Sequence, residues 1–234
     1  MSWRERAKKR ATVEAVKHIK DGFILGLGSG STAAYAIQGI GKKIKQEGLH
    51  IMGVPTSHQA FTLAIRNGIP ITTLDEHPQL DLAIDGADQI DTKLNLIKGI
   101  GGALTREKIV ASVAKQFIVV ADETKLTDKL GTKQPIPLEV LPFAVSTVTS
   151  KLKNMSEEIG LRKAKEKIGP IVTDNGNFIL DVNFGPVENP EELNSQLKSI
   201  PGIIETGLFI NMADIIYVGK QTTVQKLEKS YSRN

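Results

Sequence analysis

Three carboxylates fall within seven residues in "DGADQID" (Asp85, Asp88 and Asp91), directly after the apolar run "LDLAI". Lys98 follows in "LIKGIGG", and Glu107 in "TREK". Acids at this density can cage a metal, cap a helix, lie in solvent or move protons. The spacing argues against a metal cage, leaving open only magnesium held by one or two of the acids. The acids stand three apart, where a calcium loop places its ligands two apart, and the twelfth position counted from Asp85 is Leu96 rather than glutamate. The four histidines, His18, His50, His58 and His77, are scattered and form no ligand pair on a helical face. Asp-Gly alone is a favoured surface turn. Lys98 alone could be a loop cation, and Glu107 an acid stabilised by a helix N-terminus. Taken together they supply a base, a cation and paired acids, the components of a proton-transfer site. Glycines beside Lys98 allow the backbone to approach a ligand closely.

A second cluster precedes the acids. "GLGSGST" (26–32) ends an apolar run and opens an alanine-rich stretch with helical character. It lacks the lysine of a Walker loop. It also departs from the dinucleotide fingerprint, because Ser31 stands at the third glycine position and "VPTS" ends the next strand without an acid for a ribose diol. Backbone N–H groups at a helix start, with Ser29, Ser31 and Thr32 hydroxyls, suit a single phosphate monoester. A tight strand-to-helix turn with a serine cap is the plainer alternative.

The elements that must carry these residues follow from periodicity. Helices are expected over 8–20, from 29 through "KQ" at 45–46, over 57–68 and 105–116, with strands at 23–28, 50–54, 69–74, 80–85 and 117–122. Short apolar strands alternating with helices indicate a parallel sheet covered on both faces. Ligands bind such sheets beyond the carboxyl ends of the strands. "GSGST", "DGAD" and "DETK" would all lie at that edge. Pro135, Pro137 and Pro142 mark a boundary, after which the expected order is strand (136–141), helix (145–159), strand (161–167), strand or hairpin (170–184), helix (190–200) and strand (202–207). This β-α-β-β-α-β order is that of a ferredoxin-like unit. "ADIIYVGK" (213–220) is expected to return to the first sheet. The expected domains are 1–131 plus 207–234, and 132–206.

The 234 residues, 40% hydrophobic and 24% charged, suffice for a buried core, and no apolar stretch approaches the roughly 18 residues of a membrane helix. Cysteine is absent, which excludes disulfides, thiolate catalysis and cysteine-ligated metal clusters. With no apolar signal segment at the N-terminus, the cytoplasm is the expected compartment. The net charge of +4 is concentrated in "RERAKKR" and "KLEKSYSRN", read as solvated chain ends rather than a nucleic-acid footprint.

"GLGSGSTA", "DGADQID", "LIKGIGGALTREKIV", "VADETK", "PIPLEVLP" and "TDNGNFILD" occur in the order found in type A ribose-5-phosphate isomerases, and the resemblance spans nearly the whole chain. It implies a Rossmann-like α/β domain with a smaller ferredoxin-like domain inserted, a sugar phosphate as substrate, no metal or other cofactor, no nucleic-acid or membrane partner, and a homodimer or homotetramer. By motif it makes Glu107 the general base, with Asp85, Asp88 and Lys98 as further catalytic groups. Ser29, Gly30, Ser31, Thr32, Asp85, Gly86, Ala87, Asp88, Lys98, Gly99, Ile100, Gly101 and Lys125 would contact substrate. Three departures stand out: Gln89 for the usual glutamate, Ile100 for a glycine and Ser29 for a threonine. The implied reaction is an enediolate isomerisation, in which Asp85 assists ring opening and Glu107 moves a proton from C2 to C1. Two other readings are a sugar-phosphate sensor, which the presence of a base and a lysine argues against, and a nicotinamide-dependent dehydrogenase, weakened by the broken fingerprint.

Overall fold

The computed structural model describes residues 1–166 and 168–229. In chain order its elements are α1 (Trp3–Val16), β1 (Ile24–Leu27), α2 (Gly30–Glu47), β2 (Met52–Pro55), α3 (His58–Arg66), β3 (Leu82–Gly86), β4 (Gln89–Ile90), β5 (Leu96–Ile97) and α4 (Leu104–Ser112). There follow β6 (Phe117–Asp122), β7 (Ile136–Val140), α5 (Val145–Leu152), β8 (Glu158–Leu161), β9 (Phe178–Asn183) and α6 (Pro190–Lys198). The chain closes with β10 (Ile203–Thr206), β11 (Leu208–Phe209), β12 (Ile215–Gly219) and β13 (Val224–Glu228). It forms two compact units, one of residues 1–87, 106–125 and 212–234, the other of 88–105 and 126–211. The second unit thus includes 88–105, which the proline boundary had left with the first sheet.

In the first unit a six-stranded sheet has the order β13-β12-β6-β3-β1-β2. All neighbours are parallel except the β12–β13 pair. Every residue of β6, "FIVVAD", is buried, as expected of a central parallel strand covered on both faces. Ala11, Ala15, Ile37 and Ile40 of α1 and α2 pack with Leu25, Leu82, Ile84 and Ile118 of the sheet in one apolar core. Because β1, β3 and β6 are parallel neighbours, the segments that follow them leave from one edge of the sheet. The chain goes from β1 to β2 on one side and later enters β3 on the other, so β1 and β3 flank the switch point where ligands of such sheets bind.

The second unit carries the ferredoxin-like element order, with the antiparallel sheet β10-β7-β9-β8. Leu138 and Val140 of β7, Val148 and Leu152 of α5, Leu180 and Val182 of β9 and Leu197 of α6 close its core. A three-stranded sheet, β11-β5-β4, belongs to the same unit and was not expected from the pattern.

Several expected bounds shift for local reasons. The helix expected from Lys8 begins at Trp3, because Ser2 accepts from the Glu5 N–H while the Glu5 carboxylate accepts from the Ser2 N–H, a capping box that "SWRE" spells out. The strand expected at 69–74 reduces to one bridge, Gly53 to Ile71. The helix expected over 145–159 stops at Leu152, its last fully buried apolar residue. The strand expected at 161–167 lies earlier, since β8 takes its register from β9, Leu161 opposite Leu180; Lys167 is outside the described residues. Of the strand or hairpin expected at 170–184, the structure forms the single strand β9. β13, where the basic C-terminal run begins, pairs along β12; residues 230–234 of that run are outside the described residues. No helix among the described residues is long and apolar enough to cross a membrane.

Candidate active site

In the first unit the acid at the end of β3 shapes the glycine loop at the end of β1. Leu27 pairs with Ile84, which brings Gly28 beside Asp85. Asp85 is 3% exposed, and its Oδ1 accepts from the N–H groups of Ser29 at 3.2 Å and Gly86 at 2.7 Å. A Cβ on Gly28 would lie 2.2 Å from the Asp85 carboxyl carbon, so only glycine admits this carboxylate. Gly26 is fixed from the other direction, because a Cβ there would meet Val110 Cγ1 of α4 at 2.4 Å. Glu107, 6% exposed, stands one turn before Val110 on the same face of α4.

Gly30 opens α2 with φ +90°, a backbone that disfavours any side chain. Ser29 occupies the N-cap position of α2 but makes no side-chain cap, contrary to the expected serine cap. Its hydroxyl lies 2.8 Å from Thr56 Oγ1 and 2.5 Å from Ser57 Oγ instead, both in the "VPTS" segment after β2. The first turn of α2 carries no acidic side chain, and the Lys8 ammonium donates to Ser31 Oγ at 3.1 Å. A helix start with a lysine beside it favours an anion. Gly86 lies near Thr32, since a Cβ there would be 3.6 Å from Thr32 Cβ. Ala87 is half-buried and closes the unit's first segment. Lys125 is half-buried in the short 3-10 turn after β6, which Asp122 starts by accepting from the Thr124 N–H at 3.1 Å.

In the second unit Asp88 and the loop after Lys98 hold one another. Asp88 Oδ2 accepts from the Ile100 N–H at 3.0 Å, and the Asp88 N–H donates to the Ile97 carbonyl at 2.8 Å. Lys98 is 3% exposed; its N–H donates to Gly207 O at 2.9 Å and its ammonium lies 5.4 Å from the Phe209 ring centroid, within cation–π range. Gly99 has φ +108°, and its carbonyl accepts from the Gly102 N–H at 3.0 Å, making a tight turn through Ile100 and Gly101, which are both exposed. Arg162 clamps this turn from its other side by donating to the carbonyls of Gly99 at 2.8 Å and Ile100 at 2.9 Å. Asp181 of β9 holds the guanidinium through both of its carboxylate oxygens. Asp91 takes a different part. Its Oδ1 accepts from the N–H groups of Lys93 and Asn95, both at 2.8 Å, and its Oδ2 from Asn95 Nδ2 at 3.0 Å. It shapes the turn between β4 and β5. Among the described residues no group of three or more His, Cys, Asp or Glu side chains is placed to hold a metal ion.

Residues 52–223 match the family model of ribose 5-phosphate isomerase A (phosphoriboisomerase A). The ribose-5-phosphate isomerase A of Methanococcus aeolicus is 50% identical over 220 residues, covering 94% of this chain and 93% of that protein. The chain belongs to the ribose 5-phosphate isomerase A family. The human ribose-5-phosphate isomerase is 48% identical over 99% of this chain and 76% of its own length. A solved structure of a D-ribose-5-phosphate isomerase in complex with phospho-erythronic acid is 47% identical and covers 98% of this chain and 100% of its own, with a TM-score of 0.95.

Membership in this isomerase family makes the departures at Gln89 and Ile100 informative. Gln89 is fully buried; its Oε1 accepts from the Gly131 N–H at 3.1 Å and its Nε2 donates to the Gln134 carbonyl at 3.2 Å. An ionised carboxylate can accept the first bond but cannot donate the second. Gln89→Glu is therefore expected to destabilise the protein at neutral pH by about 1–3 kcal/mol. An acid lacking its donor bond is harder to ionise when buried, so its folded pKa lies above the unfolded value near 4.3. The deficit is then small below that value and grows as pH rises through it. Denaturant melts of variant and parent at pH 4 and pH 7 measure it, and an equal difference at both would contradict the account. Ile100 is 49% exposed, so its side chain leaves the turn toward solvent while its N–H and carbonyl remain engaged.

The pattern missed Lys8 and Arg162. Lys8 belongs to the "RERAKKR" run read as a solvated end, yet Lys8 reaches Ser31 and Arg10 donates to the carbonyls of Lys220 and Gln221. Arg162 stands 62 positions from Ile100, and no local signal connects them.

Proposed function

We propose that the protein interconverts D-ribose 5-phosphate and D-ribulose 5-phosphate through an enediolate, with Glu107 as the general base. The observation that carries this reading is the relationship to ribose-5-phosphate isomerases, 50% identical over 94% of the chain in one case. Phospho-erythronic acid, bound by a relative 47% identical, also supports it, since a carboxylate has the planar, two-oxygen anionic form of an enediolate beside a phosphate.

In this reaction the phosphate is held by the start of α2, through Ser29–Thr32 with Lys8, and by Lys125. Asp85 takes the anomeric hydroxyl proton and delivers it to the ring oxygen as the C1–O4 bond breaks. Glu107 then removes the C2 proton of the open aldehyde, leaving negative charge on O1. Lys98 stabilises that charge, and Asp88 orients the lysine or relays the proton that passes from O2 to O1. Glu107 returns its proton to C1 to give the ketose. Gly86, Ala87, Gly99, Ile100 and Gly101 contribute backbone groups around the sugar. Each step uses a group of the chain, and the phosphate, remote from the bonds that change, provides binding energy for orientation.

The reading is tested by incubating the purified protein with ribose 5-phosphate alone and assaying ketose. Ketose formation at enzymatic rates is expected without any added cofactor. Saturable binding of the sugar phosphate with no turnover would instead identify a sensor.

A further inference from the structure

A buried carboxylate in the second unit has no place in that reaction. Glu139 is the penultimate residue of β7 and is fully buried. Its Oε1 accepts from Thr173 Oγ1 at 2.8 Å, Asn175 Nδ2 at 3.0 Å and Asn177 Nδ2 at 2.8 Å, and its Oε2 accepts from Thr105 Oγ1 at 2.5 Å. Three of these donors lie on one rigid turn. The Thr173 N–H donates to the Asn177 carbonyl at 2.8 Å, the Asn177 N–H to Thr173 Oγ1 at 3.1 Å and the Gly176 N–H to the Thr173 carbonyl at 2.9 Å, with Gly176 at φ +80°. The fourth donor, Thr105, lies in the first turn of α4, two residues before Glu107.

A buried acid is a poor choice for stability alone, because apolar packing of equal volume usually serves as well or better. A fully satisfied polar network does something apolar contact does less well. It fixes directions, since each hydrogen bond is lost steeply as its angle fails. Glu139 joins three separate stretches, "PLEV", "TDNGN" and "LTRE", at one pair of oxygens, and only one of the three carries a residue of the proposed chemistry.

We infer that Glu139 is a positioning residue for Glu107: through Thr105 it anchors the first turn of α4 to the 173–177 turn and so fixes the helix rotation from which the base projects. The inference rests on the proposed role of Glu107 as base. A base must meet a carbon acid within a few tenths of an ångström, and a small turn of a helix start displaces a glutamate carboxylate by more than that.

Thr105→Val keeps the volume and removes the hydroxyl. The expected result is a folded protein whose kcat falls about 10–100-fold while KM for ribose 5-phosphate changes less than about threefold, the loss a misplacement near 1 Å produces. The primary isotope effect with substrate deuterated at C2 is expected to rise toward its full value, because proton abstraction becomes the slow step. Thr105→Ser, which keeps the donor, restores kcat and lowers the isotope effect again. A folded Thr105→Val with parental kcat and an unchanged isotope effect would overturn the inference and leave Glu139 a purely structural acid. If Thr105→Val does not fold, Thr105→Ala is read in the same way. Glu107→Gln in the same series separates the two failures: an active Glu107→Gln removes the base assignment, whereas an inactive one beside a fully active Thr105→Val removes only the positioning role.

Discussion

Glu107→Gln is expected to fold like the parent chain and to lose isomerase activity by about 10²–10⁴-fold, the contribution of a positioned general base. Glutamine preserves the volume and the hydrogen-bonding reach of a side chain that is 6% exposed, so packing changes little. It removes basicity alone. Val110, one turn along the same face of α4, still fills the space that Gly26 leaves, and the helix keeps its seat on the sheet. The loss therefore belongs in kcat, with KM near the parental value. Initial rates of ketose formation measure it, and thermal melts confirm that the variant is folded. Exchange of solvent hydrogen into the sugar at C1 should fall in parallel, because that proton arrives through the same group. A folded variant that isomerises at near-parental rates would remove Glu107 from the mechanism.

The second large effect is expected at Lys98. Lys98→Met retains the length and apolar stem of the side chain and deletes the charge, and should lower kcat by about 10²–10³-fold, as removal of one oxyanion donor does. Lys98 is suited to the task because it is only 3% exposed, where a charge is weakly screened by water. Its backbone is pinned by the bond to Gly207 O and its ammonium stands over Phe209, so little reorganisation is needed when charge develops. Lys98→Arg should not restore the rate, because a planar guanidinium is larger and directs its donors differently from a compact ammonium. Rates with both variants at saturating ribose 5-phosphate decide this. Equal activity of Lys98→Met and parent would transfer oxyanion stabilisation to the backbone N–H groups of the glycine turn.

Much of this was legible in local pattern. The apolar run "FIVVAD", the glycines of "GLGSG" and the alternation of strands with helices gave a parallel sheet, and the three polar loops were expected at one edge, where β1, β3 and β6 now place them. The strand order of the smaller sheet follows the element order read from 136 onward. These features are legible because a strand or helix buries a face with a fixed period, and a turn needs particular residues within a few positions.

Other features depended on distant partners. Ser29 had every local mark of a cap, but its hydroxyl was drawn to Thr56 and Ser57, residues of another strand end. Asp91, which the family resemblance left outside the site, is occupied with its own turn through partners at Lys93 and Asn95. Gln89 exchanges hydrogen bonds with the 131–134 segment, and Arg162 grips a turn far back in the chain.

By itself, then, the sequence determined most of the strands and helices of the two larger sheets, where the chemically capable side chains cluster, and the family to which those clusters belong. Only the tertiary structure decided why Gly28 must be glycine, which acids serve turns, and which buried polar groups hold the loops and helix start that carry the proposed site. The physical reason is range. Hydrophobic periodicity and turn preference act within a few residues, whereas a buried carboxylate such as Glu139 is satisfied by donors more than 30 positions away on either side, at Thr105 and Thr173. Its partners exist only once the chain has brought them together.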